Sequence, residues 1–161
     1  MQYPFMIFDW GDTIMKDDPT LDTPMYQWST VEAIDGAEEV LSAIHSHRTV
    51  VMATSADQSN EAEIRLALQR VSLHNYFDRI FCFKNTGLRK TSEDFYRYIL
   101  DNLGAKPSDA LMVGDNFEND VLRASNMGLH AVWLNQKDGE NKKSILYETI
   151  HSLRELLLIL D

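Results

Sequence analysis

Six side chains of this 161-residue sequence could take part in one reaction: Asp9, Thr54, Ser55, Lys90, Asp115 and Asp120. They follow four short apolar runs. Asp9 comes directly after Phe5-Met6-Ile7-Phe8, and Thr54 with Ser55 after the run 49–53. Lys90 lies beyond the run 79–83, just ahead of a helical pattern. Asp115 and Asp120 follow the run 110–113 and Gly114. Each has an ordinary explanation taken singly. An Asp after a strand makes a turn, Ser55 or Asp57 can cap a helix, a lysine before a helix is normally solvated, and an acidic first turn suits the helix dipole. Gly114 ahead of Asp115 is less ordinary, since glycine lets backbone approach a ligand. Together they describe a site. Crowded carboxylates raise one another's pKa and need a counter-charge. A hard divalent cation supplies it, and magnesium favours a few carboxylates plus waters and phosphate oxygens. A hydroxyl and an ammonium would hold the other phosphate oxygens. A free carboxylate could then attack phosphorus and form an aspartyl-phosphate.

That chemistry requires the four runs to end at one edge of one sheet. Apolar runs at 5–8, 49–53, 79–83, 110–113 and 131–134 do not alternate with polar residues, as expected of parallel strands covered on both faces. Helical spacing links them: Ala37, Val40, Leu41 and Ile44; Ile64, Ala67, Leu68 and Val71; Tyr96, Ile99, Leu100 and Leu103; and Phe117, Val121 and Ala124. Leu146, Ile150, Leu153, Leu157 and Leu160 predict a last helix, and Asp35 with Glu38 resembles a capping box. The expected fold is a three-layer, doubly wound α/β domain over 1–161 with a five-stranded parallel sheet. Ligands bind such sheets in the crevice beyond the carboxyl ends of the strands.

Composition narrows the partners. A formal net charge of -10 argues against a nucleic-acid backbone or an anionic membrane as main partner. The single Cys82 excludes an internal disulfide and a cysteine-based zinc cluster, and its apolar surroundings predict core packing. No basic leader precedes an apolar stretch and no run approaches the roughly 20 residues of a membrane span, so a cytoplasmic location is expected.

The order and spacing of these motifs resemble the haloacid dehalogenase superfamily of phosphohydrolases, over nearly the whole chain from Phe5 to about Trp133. Asp9 matches the family's nucleophile, Thr54 its second-motif hydroxyl, Lys90 its third-motif lysine, and Gly114, Asp115 and Asp120 its fourth motif. Asp35-Gly36-Ala37, Tyr76-Phe77-Asp78 and Met127-Gly128-Leu129 are also similar to the family's supporting text. The resemblance implies a magnesium-dependent phosphatase in which Asp9 is nucleophile and metal ligand. The carbonyl of Gly11 and the carboxylate of Asp115 would be further ligands, and Asp120 would bind a metal water or steady the site. Thr54 and Lys90 would hold the phosphoryl group.

Two departures stand out. The family's general acid and base lies two residues after the nucleophile, where this chain has Gly11, and Asp12 stands where the family has glycine. Three outcomes are open. Asp12, re-aimed by a flexible Gly11, transfers the proton; or the leaving group needs no acid; or the site binds phosphate with little turnover, as a regulatory module. A receiver-type signalling domain fits less well, because its lysine would end the fifth strand. Thr91 replaces the proline usual after the lysine, a minor change. Neither gap between motifs holds a full cap domain. The segment at about 16–34 reads as a minimal cap, leaving an open site that suits a large or exposed phosphoester or is covered by a second copy of the chain; a small phosphorylated substrate is the other expected partner. Trp10, beside Asp9, is the best candidate for substrate contact, ahead of Tyr26 and Trp28.

Overall fold

The computed structural model describes residues 2–160. Its strands are β1 (Phe5–Phe8), β2 (Thr49–Ala53), β3 (Arg79–Phe81), β4 (Ala110–Gly114), β5 (His130–Leu134) and β6 (Tyr147–Ile150). Its helices are α1 (Ala37–Ile44), α2 (Glu61–Arg70), α3 (Phe83–Thr86), α4 (Glu93–Leu103), α5 (Arg123–Asn126) and α6 (Leu156–Leu160). The strands form one sheet in the order β3-β2-β1-β4-β5-β6, with every pair parallel. β1 lies between β2 and β4, the point where the strand order reverses. Loops leaving neighbouring strands diverge there to opposite faces and open a crevice.

Both faces of the sheet are covered, which explains the unbroken apolar runs. Met6 and Phe8 point to one side, where Val40, Leu41 and Ile44 of α1, Ile64 and Leu68 of α2, and Leu153 and Leu156 meet them. Ile7 points to the other, against Phe95, Tyr96 and Ile99 of α4 and Val121 and Ala124. Cys82 is buried, as its surroundings predict.

Four details differ from the expectations. The sheet has six strands, because Leu146 and Ile150 begin no helix: β6 pairs with β5 from Ala131–Tyr147 to Leu134–Ile150. A spacing of four residues puts side chains on one face of a strand as well as of a helix, so the two readings coincide until a free sheet edge decides. Only Leu156–Leu160 is α-helical. β3 stops at Phe81, where the Asn85 side chain accepts the Cys82 N–H at 2.9 Å and starts α3 instead. Asp35 forms no capping box. α1 begins at Gly36 with φ +83°, and Asp35 pairs with Arg154 at 2.6 Å. α2 is capped by Asn60 and Glu63, with neither Ser55 nor Asp57 involved.

The segment 16–34 folds back along the chain that precedes it. Lys16 N–H donates to the Glu32 carbonyl and Ile34 N–H to the Ile14 carbonyl. A short 3-10 turn, Met25–Gln27, buries Met25. Arg70 of α2 donates to the carbonyls of Tyr26, Trp28 and Ser29. These bonds fix the segment beside the carboxyl edge of the sheet.

Candidate active site

The turn after β1 sets the first part of the site. Asp9 N–H still donates to the Val113 carbonyl of β4, so its carboxylate stands at the last rung of the sheet. The Trp10 carbonyl then accepts the N–H groups of Thr13, Ile14 and Met15, which forces the chain to reverse at once. The reversal needs one left-handed residue, and it is Asp12 (φ +57°), not Gly11. Asp tolerates this region because its short side chain can bond locally. Asp12 Oδ1 accepts the Asp17 N–H at 3.0 Å, so that carboxylate is directed at the segment 16–34. Trp10 is 4% exposed and its indole N–H meets the Met15 sulfur. It packs in the core while still lining the cleft.

The other parts come from β2, the loop before α4, and β4. Thr54 N–H donates to the Phe81 carbonyl, and Thr54 Oγ1 accepts the Ala56 N–H at 3.1 Å, which leaves its hydroxyl proton for a ligand. Ser55 Oγ accepts the Lys90 N–H at 2.9 Å and so holds the lysine loop against the second strand. Lys90 is 5% exposed, and its ammonium bonds Asp9 Oδ1 and lies 2.8 Å from Asp120 Oδ1. A surface charge was the ordinary expectation for Lys90, and burial between two carboxylates replaces it.

Asp120 lies in a π-helical turn, Phe117–Leu122, whose wider coil carries it fully inside. Such turns are rare and frequently sit at functional sites. Asp120 Oδ2 accepts the Asn116 N–H at 3.0 Å, while Oδ1 is paired with the Lys90 ammonium by charge and accepts no hydrogen bond. Gly114 is glycine for this reason: a Cβ there would lie 2.2 Å from Asp120 Oδ2. The close approach is by a carboxylate of the protein itself, whereas the sequence suggested a ligand.

Asp9, Asp115 and Asp120 thus converge, each with a carboxylate oxygen within 4.8 Å of the others'. Thr13, which sequence reasoning missed, is fully buried between two of them. Its hydroxyl is 3.1 Å from Asp9 Oδ2 and 3.4 Å from Asp115 Oδ1. Its only sequence signal was a hydroxyl four residues beyond Asp9 in a tight turn. The site opens into a cleft of about 400 Å³ that Gly11, Asp12, Asp17, Met25 and Trp28 also line.

The electrostatics follow from crowding. Burial and the neighbouring Asp9 raise the Asp115 carboxyl to about 8. Burial and Asp9 raise Asp120 to about 6, against the opposing pull of Lys90. Burial alone would lower the Lys90 ammonium, but Asp120 and Asp9 outweigh it and the net shift is upward. Three carboxylates facing one ammonium leave a formal excess of two negative charges when all are ionised. An all-oxygen donor set with that excess fits a hard divalent cation such as magnesium.

A stability prediction follows. Asp115 and Asp120 have folded-state pKa values above their unfolded ones, so between about pH 4 and pH 8 the folded state binds more protons and stability falls as pH rises. The melting temperature of metal-free protein should decline from pH 5 to pH 8. Millimolar magnesium should raise it more at pH 8 than at pH 5, as differential scanning fluorimetry would read. A flat metal-free profile would show that the carboxylates do not repel.

A family model for haloacid dehalogenase-like hydrolase matches residues 11–128. The parallel sheet, with acidic groups from separate strands at its switch point, is the framework of that group, and the chain belongs to the haloacid dehalogenase-like hydrolase family. Among curated relatives, pyrimidine 5'-nucleotidase YjjG of Escherichia coli (strain K12) is 31% identical over 129 residues, 77% of this chain and 56% of that protein. Glyceraldehyde 3-phosphate phosphatase of Methanothermobacter thermautotrophicus is 28% identical over 99 residues, 56% of this chain and 44% of that protein. The chain spans about half the length of these relatives. A HAD phosphatase structure from Thermococcus onnurineus superimposes with a TM-score of 0.78 at 20% identity, covering 96% of each chain. No helix among the described residues is long and apolar enough to cross a membrane.

Proposed function

We propose that the protein hydrolyses a small phosphoester with magnesium bound, through a phosphorylated Asp9. The observation that carries this reading is the convergence of Asp9, Asp115 and Asp120 beside Lys90 and Thr54 at the sheet's switch point. One of these curated relatives is named a pyrimidine 5'-nucleotidase and the other a glyceraldehyde 3-phosphate phosphatase, which supports the substrate class.

Asp9 and Asp115 would hold the magnesium with the Gly11 carbonyl, and Asp120, held by the Asn116 N–H and the Lys90 charge, would steady the site. Magnesium supplies charge to offset the phosphoryl oxygens and the crowded carboxylates. The remaining work belongs to the chain. Thr54 and the Lys90 ammonium hold phosphoryl oxygens, and Thr13 orients Asp9. An Asp9 oxygen bonds to phosphorus as the ester P–O bond breaks, and water then cleaves the acyl phosphate. Phosphoryl transfer is mostly positioning and charge stabilisation, which suits so small a constellation. The segment 16–34, fixed on α2 by Arg70, would serve as a minimal cap, with Trp28 and Met25 on its cleft side.

The experiment is phosphate release from a panel of small phosphoesters, with magnesium and with excess EDTA. Release with magnesium and its loss by at least about 100-fold in EDTA is the expected result. Magnesium binding by calorimetry with no release from any ester would make the chain a binding module instead.

A further inference from the structure

We infer that the Asp17 carboxyl is the group that gives a proton to the leaving oxygen and later takes one from the attacking water. This rests on the phosphoester reading above. That chemistry needs a carboxyl in the cleft that is not held by the lysine. Asp9 and Asp120 are paired with Lys90, and Asp115 shares Thr13 with Asp9. Asp12 is turned to the Asp17 N–H, Asp18 to the Thr20 hydroxyl and N–H, and Asp57 to Arg89. Asp17 Oδ1 accepts the Asp18 N–H at 2.9 Å, and among the described residues no hydrogen bond reaches its Oδ2; Asp12 Oδ2 is likewise unbonded, so place rather than elimination singles out Asp17.

Its place is also specific. A Cβ built on Gly11 would lie 3.2 Å from Asp17 Cβ, 3.4 Å from Cγ and 3.4 Å from Oδ2. No atom of any other residue is among the three nearest. The Asp17 carboxyl therefore occupies the volume that a side chain at residue 11 would enter, two residues from Asp9 and in the same cleft. The bond from the Asp17 N–H to Asp12 Oδ1 holds it there, which makes Asp12 a positioning residue. Glycine at 11 is what makes room for a carboxyl that arrives from the inserted segment.

The step balances. As Asp9 oxygen bonds to phosphorus and the ester P–O bond breaks, the leaving oxygen keeps the electron pair and takes the Asp17 proton, departing as an alcohol. Water then attacks phosphorus, its proton passes to the Asp17 carboxylate, and the Asp9–phosphorus bond breaks to give phosphate.

The test compares kcat/KM on an alkyl phosphate and on 4-nitrophenyl phosphate, whose leaving group hardly needs an acid. In Asp17→Asn, kcat/KM on the alkyl ester should fall by about 100- to 10,000-fold and on the aryl ester by less than about tenfold. The aryl ester should also show a burst of nitrophenol as phosphoenzyme accumulates. Moving the carboxyl, in Gly11→Asp/Asp17→Gly, should restore alkyl turnover to within about tenfold of the original, since the three atoms nearest a Cβ at residue 11 all belong to Asp17. Equal losses on both esters, no loss on the alkyl ester, or an exchange variant active only on the aryl ester would each overturn the role of Asp17 alone. An unmodified protein that releases phosphate from neither ester would overturn the hydrolase reading and this role with it.

Discussion

Asp9→Asn is expected to lower magnesium-dependent phosphate release by about four to six orders of magnitude, the scale seen when a covalent nucleophile is removed. Asparagine keeps the shape of the side chain and one carbonyl oxygen for the Lys90 ammonium. It cannot form the acyl phosphate. Asp9 is 7% exposed, so a loss of activity could be mistaken for misfolding. The charge count separates the two. Asparagine removes one of three converging carboxylates, the one whose charge raises the pKa values of Asp115 and Asp120. The melting temperature of metal-free Asp9→Asn at pH 8 should therefore be no lower than that of the parent. Phosphate release would be followed by a coupled assay and folding by circular dichroism. Turnover within tenfold of the parent would remove Asp9 as nucleophile.

Lys90→Met should have the largest effect on stability. Breaking a buried ion pair by removing one partner typically costs about 3–5 kcal/mol, because the remaining charge is stranded. Here two carboxylates are stranded, at Asp9 and at the fully buried Asp120. Protonation relieves part of that cost where Asp120 and Asp115 are raised, so the loss should be greater at pH 8 than at pH 6. Urea unfolding should show a lower midpoint with the slope preserved. Adding Asp120→Asn to Lys90→Met should recover a substantial part of the loss. A double variant as unstable as the single one would assign the effect to lost packing of the lysine stem.

Both variants probe groups from separate loops, and their coexistence depends on packing at positions that carry no chemistry. Gly114 admits the Asp120 carboxylate, and Gly11 admits Asp17. Ser55 ties the Lys90 loop to β2. Each is a small residue whose value lies in what it lets approach.

The layered α/β architecture was legible in the amino-acid order, because a strand buried on both faces must be apolar throughout and helices keep their own spacing. Most of the residues that converge were also legible, since Asp9, Thr54 and Asp115 stand just past apolar runs and Lys90 and Asp120 lie in the loops or turns that follow. Some features were not. Leu146 and Ile150 satisfy strand and helix spacing equally, and only the open edge of β5 selects the strand. Asp35 has the look of a cap, but Arg154, 119 residues away, takes it. Thr13 and Asp17 lie in turns whose local text is ordinary, and their meaning comes from distances to Asp9, Asp115 and Gly11. What the sequence by itself determined is which residues must be inside and which charges stand at strand ends, because burial and periodicity are local. Which carboxylate meets which ammonium, and which glycine makes room for which acid, only the tertiary structure decided, because those contacts join loops that the chain order does not place side by side.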